Sequence, residues 1–109
     1  MSLTIGPYTM GEKPSPLSYK FQDASGTAIN LTGFSAKFNY QEHDGAATSA
    51  DAILADGPTG TVTYVFTGNE FATPGHYKAQ FWAGNGTNRY ASVTIEFDVA
   101  AAVGPVPSI

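Results

Sequence analysis

Residues 57–82, GPTGTVTYVFTGNEFATPGHYKAQFW, constrain the fold more than any other part of the chain. Val62, Tyr64 and Phe66 alternate with Thr61, Thr63 and Val65, which is the period-two pattern of a half-buried strand. A second alternation, Tyr77, Ala79 and Phe81, leaves a polar corner through Pro74-Gly75-His76. That arrangement is how a β-sandwich turns a corner. Gly75 has no Cβ and is expected to let the chain bend, and the Tyr77 hydroxyl is expected to bond nearby backbone. The feature predicts a fold and carries no chemistry.

The same period recurs elsewhere in short runs. Leu17, Tyr19 and Phe21 alternate with Ser18, Lys20 and Gln22 up to a turn at Asp23-Ala24-Ser25-Gly26, and Ile29 and Leu31 lead into Thr32-Gly33. Phe34, Ala36, Phe38 and Tyr40 form the cleanest alternation and predict a core strand. Residues 41–50 are polar and small and read as an exposed loop with a short helical turn within 46–54, after which Ile53 and Leu54 return to the core. Asn85-Gly86 favours positive φ and predicts a hairpin, completed by a strand over 90–99 with Val93, Ile95, Phe97 and Val99 on one side. Phe34, Phe38, Tyr64, Phe66, Phe81, Val93, Ile95 and Phe97 are expected in the core. The sum is an all-β, antiparallel sandwich of about six or seven strands. It covers residues 14–99, between an N-terminal arm, 1–13, and an apolar C-terminal arm, 100–109.

Composition narrows the function. A chain of 109 residues is one domain, burying roughly two thirds of its unfolded surface. It has no cysteine, which removes disulfides, thiolate metal sites and cysteine nucleophiles together and leaves packing and strand hydrogen bonds to hold the fold. With 13% charged residues and a net charge of −4, it lacks a basic footprint for a phosphate backbone, and no nucleic-acid partner is expected. Residues 1–7 have neither a basic segment nor an apolar run of signal-peptide length, and nothing later approaches a membrane span. A protein made in the cytoplasm, with no membrane partner, is expected.

Candidate chemistry is thin. Glu42, His43 and Asp44 are metal-ligating types, but neighbours in an extended segment point to opposite sides and rarely converge on one ion, so they read as a solvated loop. His76 faces away from the side that takes Tyr77 and reads as a surface histidine. Neither a Gly-x-Ser-x-Gly elbow nor a phosphate-cradling glycine loop occurs. No catalytic residue, metal or cofactor is expected, and the chain is not read as an enzyme. Asn30-Leu31-Thr32 and Asn85-Gly86-Thr87 match the N-glycosylation pattern and read as a strand approach and a turn. Strand parity places Trp82 with Lys78 and Gln80, opposite Tyr77 and Phe81. An outward indole is a binding platform, an interface anchor or a cover over the end of the sandwich.

Several of these residues together carry a family resemblance. The opening strand 17–21, the run DASGTAINLTG over 23–33, the strand 34–40, and the pieces GTVTY at 60–64 and GHYKAQF at 75–81 occur in this order. Over residues 14–99 the chain resembles the immunoglobulin-like domain of bacteriophage tail and baseplate proteins, such as the N-terminal domains of baseplate upper proteins of lactococcal phages. In immunoglobulin-like domains a Gly two residues before a Tyr marks the corner, and Ala79 stands where antibody domains carry a core cysteine. The resemblance implies a structural part of a virion and no enzymatic activity. Relatives of this kind usually continue into helices and further domains, so the end at Ile109 sets an expectation of non-covalent attachment.

The expectation is therefore a non-enzymatic virion structural protein, at the tail, the baseplate or the capsid exterior. It is made in the host cytoplasm and assembles in multiple copies with other virion proteins. An acidic balance suits a place outside the packaged DNA. The alternative is a carbohydrate-binding or host-surface adhesion module, in which Trp82 and neighbouring tyrosines stack on a glycan. An accessory domain of a bacterial enzyme is a third class, disfavoured because Met1 begins the chain and no catalytic partner follows. Candidate partner contacts are Leu3, Ile5, Tyr8 and Met10 in the first arm, Lys78, Gln80 and Trp82 on the sheet, and Val103, Val106 and Ile109 in the last arm. Residues 100–109 carry no charged side chain. Pro and Gly keep both arms out of regular central structure, so at least one of them is expected to be mobile in the free protein and to order along a neighbouring subunit.

Overall fold

The computed structural model describes residues 2–109. Among them are nine strands and no helix: β1 (Ser2–Thr4), β2 (Tyr8–Thr9), β3 (Leu17–Lys20), β4 (Ser35–Glu42), β5 (Thr48–Asp56), β6 (Thr61–Tyr64), β7 (Gly75–Gly84), β8 (Arg89–Ala91) and β9 (Thr94–Ala100). Hydrogen bonding follows the path β1, β9, β7, β4, β5, β6, β3, with β2 also beside β9 and β8 beside β7. β5 belongs to both layers of the sandwich. Its first half pairs with β4 and its second half with β6, and a register shift between Leu54 and Asp56 bends it. The larger sheet thus holds β1, β2, β9, β8, β7, β4 and the start of β5, and the smaller holds the end of β5, β6 and β3.

Aromatic side chains from the two sheets meet between them. Phe38 of β4 stacks on Tyr64 of β6 with centroids 4.4 Å apart, and Tyr19 of β3 lies parallel to Phe81 of β7 at 6.1 Å. Phe38, Phe81, Phe97, Val62 and Ile95 are completely or almost completely buried, as are Leu31 and Phe71 from the connections. Phe38 and Phe81 face each other in register, and small residues flank that pair along the ladder: Ala36 faces Ala83 and Tyr40 faces Ala79 across β4 and β7, so the rings find room.

The corner between β6 and β7 is a tyrosine corner. The Tyr77 hydroxyl donates to the Thr73 carbonyl at 2.6 Å, and the ring stacks on Phe97 at 5.2 Å. Gly75 has φ +151°, a conformation L side chains rarely adopt. The same corner contains a buried carboxylate absent from the sequence reading. Glu70, 3% exposed, accepts hydrogen bonds from the Thr67 amide at 2.9 Å, the Gly68 amide at 3.1 Å and the Tyr64 hydroxyl. Burial pushes the Glu70 carboxyl up, but these donors outweigh it and hold the carboxyl below the ordinary glutamate range. Burial and the adjacent carboxylate raise Tyr64 in turn.

Four expectations are corrected. There are nine strands among the described residues, and the sheet is mixed, because β1 and β2 run parallel to β9. The N-terminal segment is paired to the sandwich: Ile5 donates its amide to Glu96 and Met10 to Ala100, while positive φ at Gly6 separates the two short strands. Met1, the first residue of that arm, lies outside the described residues. Residues 48–56 form a strand, with Ala50, Ala52 and Leu54 facing inward, and Ile53 is 54% exposed. Two-residue alternation decides this outcome over alanine's helical preference. Lastly, the run 90–99 changes parity. The buried Ser92 accepts from the Phe81 amide through its hydroxyl and donates its own amide to the Phe81 carbonyl, which leaves Val93 only half-buried. Phe34 is likewise half-buried and stacks on Tyr90 at the end of the sandwich.

Two outcomes follow from the corner. Tyr77→Phe keeps the stacked ring and loses one hydrogen bond, so unfolding free energy should fall by about 1 kcal/mol in a denaturant titration; an unchanged midpoint would mean that the hydroxyl does not brace the corner. Glu70 is ionised more readily folded than unfolded, so its stabilisation is present above the ordinary glutamate pKa of 4.5 and is lost as pH falls through the depressed folded value. Melting temperature should therefore drop on acidification through this range, with a smaller drop in Glu70→Gln.

Candidate interaction surfaces

Two separate surfaces collect the candidate partner residues. The first lies where the termini meet. After β9 the chain turns back beside β2, and an open cleft forms between residues 9–13 and the tail, lined by Met10, Gly11, Val103, Val106 and Ile109 among others. Val103 and Ile109 are fully exposed, and Val106 is 52% exposed while packing toward Gly11. Ile5, Tyr8 and Met10 pack against the sandwich's own core, where Tyr8 stacks on Phe71 at 4.7 Å and meets Phe97 edge-on. Leu3 remains exposed on the edge strand β1. The structure thus brings Met10, Val103, Val106 and Ile109 together and leaves Leu3 apart.

The second surface is the outward face of the larger sheet. Lys78 is exposed, and Gln80 and Trp82 are half-buried, each beside an outward residue of β4: Gln41, Asn39 and Lys37 respectively. Lys37 forms an ion pair with Asp51 of β5. Gln80 donates its amide to the Ser92 carbonyl at 2.8 Å, so its position is tied to the parity change described above.

Charge on this face continues toward β9. His76 is set between two carboxylates, with Nδ1 2.7 Å from Asp98 and Nε2 3.1 Å from Glu96. Hydrogen bonds to Asp98 and then Glu96 hold its pKa above the ordinary imidazole value, and Glu96 is lowered correspondingly by His76. His43 and Asp44 approach only to 3.8 Å and are both exposed. Among the described residues no group of three His, Cys, Asp or Glu side chains is placed to hold a metal ion. Asn30 and Asn85 each cap a turn, Asn30 Oδ1 accepting from the Thr32 amide at 3.0 Å and Asn85 Oδ1 from the Asn88 amide at 2.7 Å.

Sequence reasoning missed Asn39, Phe71 and Glu70. Asn39 was visible as an outward position of the best alternation, two residues from Lys37 and Gln41. Phe71 and Glu70 sit in an irregular connection, where no period marks the inward side.

A two-layer β-sandwich closed by a tyrosine corner defines the class of protein: an immunoglobulin-like structural domain. Residues 23–105 match the family of the BppU N-terminal domain, the amino-terminal part of the phage baseplate upper protein, and the chain belongs to that family. It is a bacteriophage tail or baseplate domain. A solved structure described as the N-terminal domain of phage TP901-1 ORF48 is similar, with a TM-score of 0.48 and 16% identity, over 92% of this chain and 93% of that one. No curated protein sequence matches.

Contact between tail and N-terminal segment depends on a missing side chain. Gly11 has φ +82°, and a Cβ placed there would lie 2.6 Å from Val106 Cγ2. Gly11→Ala should therefore push the tail away while the sandwich stays folded. Faster amide exchange confined to the tail and residues 9–13 is the expected result, and an unchanged exchange pattern would mean that Val106 does not hold the tail there.

Proposed function

We propose that this protein is a non-enzymatic structural subunit of a phage tail or baseplate and that it attaches to neighbouring virion proteins through the apolar cleft between its termini. Membership of a baseplate domain family supports the first part. The single observation that carries the second is the convergence of Met10 with Val103, Val106 and Ile109 of the uncharged tail, in a cleft that Glu12 and Lys13 border on the other side. Side chains as exposed as Val103 and Ile109 gain roughly 1.5 to 3 kcal/mol each when a partner covers them. Such a cluster is more than the scattered apolar exposure of an ordinary surface.

The edge of the smaller sheet is a poorer attachment point. β3 is four residues long, carries the exposed Lys20 and follows Pro14 and Pro16, features that discourage strand addition. The family supports the tail or baseplate over the capsid exterior. Synthesis in the host cytoplasm and assembly in multiple copies belong to the same reading.

The tail offers the clean test, because deleting residues 1–11 would also remove β1 and β2. Deleting 101–109, or combining Val103→Asp with Val106→Asp, should leave the circular-dichroism spectrum and melting transition of a folded sandwich but reduce incorporation into particles severalfold. Normal occupancy of both variants would move the attachment to another surface.

A further inference from the structure

We infer that Asn85 is a self-modification site: in the folded protein its side-chain amide is converted to aspartate and isoaspartate through a succinimide closed by the Gly86 amide. The site lies on the loop between β7 and β8, away from the terminal cleft, and does not rest on the assembly role.

Asn85 is the one asparagine of the chain that glycine follows. Residues 85–88 are all exposed, and a Cβ built on Gly86 would meet nothing within 4 Å, so water and hydroxide reach the step. Asn85 Oδ1 accepts from the Thr87 amide at 2.9 Å and from the Asn88 amide at 2.7 Å. Two donors on a carbonyl oxygen draw electrons from its carbon and stabilise the oxyanion that an attacking nucleophile creates there. The nucleophile is free, since among the described residues the Gly86 amide donates to no backbone carbonyl. The other Asn-x-Thr motif is the contrast. Asn30 Oδ1 also has two donors, the Thr32 amide at 3.0 Å and the Thr32 hydroxyl at 2.7 Å, but the amide that would attack belongs to the buried Leu31 and is bonded to the Gly57 carbonyl at 2.7 Å. The Asp44-Gly45 step is closed in the same way, the Gly45 amide donating to the Glu42 carbonyl at 2.9 Å. The fold thus ties up the nucleophile at Asn30 and Asp44 and leaves it open at Asn85.

The reaction needs only water. The Gly86 amide gives its proton to hydroxide, its nitrogen bonds to Asn85 Cγ, and the Cγ–Nδ2 bond breaks as ammonia leaves with a proton from solvent. Water then opens the succinimide ring. Breaking the new Cγ–N bond gives aspartate, and breaking the original peptide bond to Gly86 gives isoaspartate, with no change of oxidation state. The net exchange is one water taken up and one ammonia released. Either product puts a negative charge on the loop that leads to Arg89. Aspartate keeps an acceptor for the Thr87 and Asn88 amides. Isoaspartate instead routes the backbone through Cβ, one atom longer, next to the first pair of the β7–β8 ladder, Gly84 with Arg89. Time and alkalinity thus alter the hairpin that carries Trp82 opposite Ala91.

Intact protein would be kept at body temperature in mildly alkaline and in mildly acidic buffer and digested briefly at acid pH. Each asparagine would be followed by tandem mass spectrometry, and isoaspartate by labelling with an isoaspartyl methyltransferase. Conversion at Asn85 should be at least about tenfold faster than at Asn30 or Asn88, faster in the alkaline buffer, and accompanied by isoaspartate at that position. Gly86→Ala should slow it by at least about tenfold, because the added Cβ hinders the attacking nitrogen. Thr87→Pro removes one donor to Oδ1 and should slow it by about threefold or more. Circular dichroism should show the sandwich folded in both variants. If either variant loses the fold, the unaltered protein decides alone. Unfolding it in guanidinium chloride should accelerate Asn30, whose attacking amide is then freed, and leave the Asn85 rate within about tenfold of the folded value. The inference is overturned if Asn85 reacts no faster than Asn30 or Asn88, if a folded Gly86→Ala or Thr87→Pro variant reacts as the unaltered protein, or if unfolding speeds Asn85 by more than about tenfold, which would mean that the fold protects it.

Discussion

The stack of Phe38 on Tyr64 is the contact on which the two sheets depend. It joins β4 of the larger sheet to the smaller one at a centroid separation of 4.4 Å, and Phe66 and Phe81 close around it. No disulfide is available to do this work, since the chain has no cysteine. The strands hold their faces together by burying rings against one another, and small residues such as Ala36, Ala79 and Ala83 make space for them. The tyrosine corner then fixes how the chain passes between the layers, with Tyr77 bound to Thr73 and Tyr64 reaching the buried Glu70.

Two polar devices adjust this apolar frame. Ser92 replaces one step of the ladder between β7 and β9 with a side-chain hydrogen bond, and so separates β8 from β9. Glu70 gathers the amides of Thr67 and Gly68 in the irregular connection after β6. Both keep irregular backbone inside a packed domain at little cost, because each buried polar group has a partner. Asn39 Oδ1 is the contrast: a buried acceptor, without a partner, on the outward face of the sheet.

The termini extend the sandwich and also create an exposed apolar surface. Parallel pairing of β1 and β2 with β9 fixes the N-terminal segment, and Phe71 anchors it through Tyr8. The tail then has a firm neighbour to lie against, at Gly11. A domain of the BppU N-terminal family here has a sheet that holds its N-terminal segment and an uncovered apolar edge beside it.

Much of this was legible in the residues alone, since a strand with one buried face must alternate. The alternations at 34–40, 61–66 and 75–82 placed Phe38, Tyr64, Phe66 and Phe81 inward and Lys78, Gln80 and Trp82 outward, and the Gly75-x-Tyr77 spacing marked the corner. The uncharged tail was equally visible. Long-range pairing was not, because no local pattern tells a short N-terminal segment which strand it will lie beside. The parallel strands β1 and β2, the sheet-to-sheet crossing of β5, the parity change at Ser92, the burial of Phe71 and Glu70, and the meeting of Met10 with Val106 all depend on contacts between residues far apart in the chain. Side-chain periodicity is a property of the sequence by itself; the partner across the ladder or the core is decided only when the whole chain has packed.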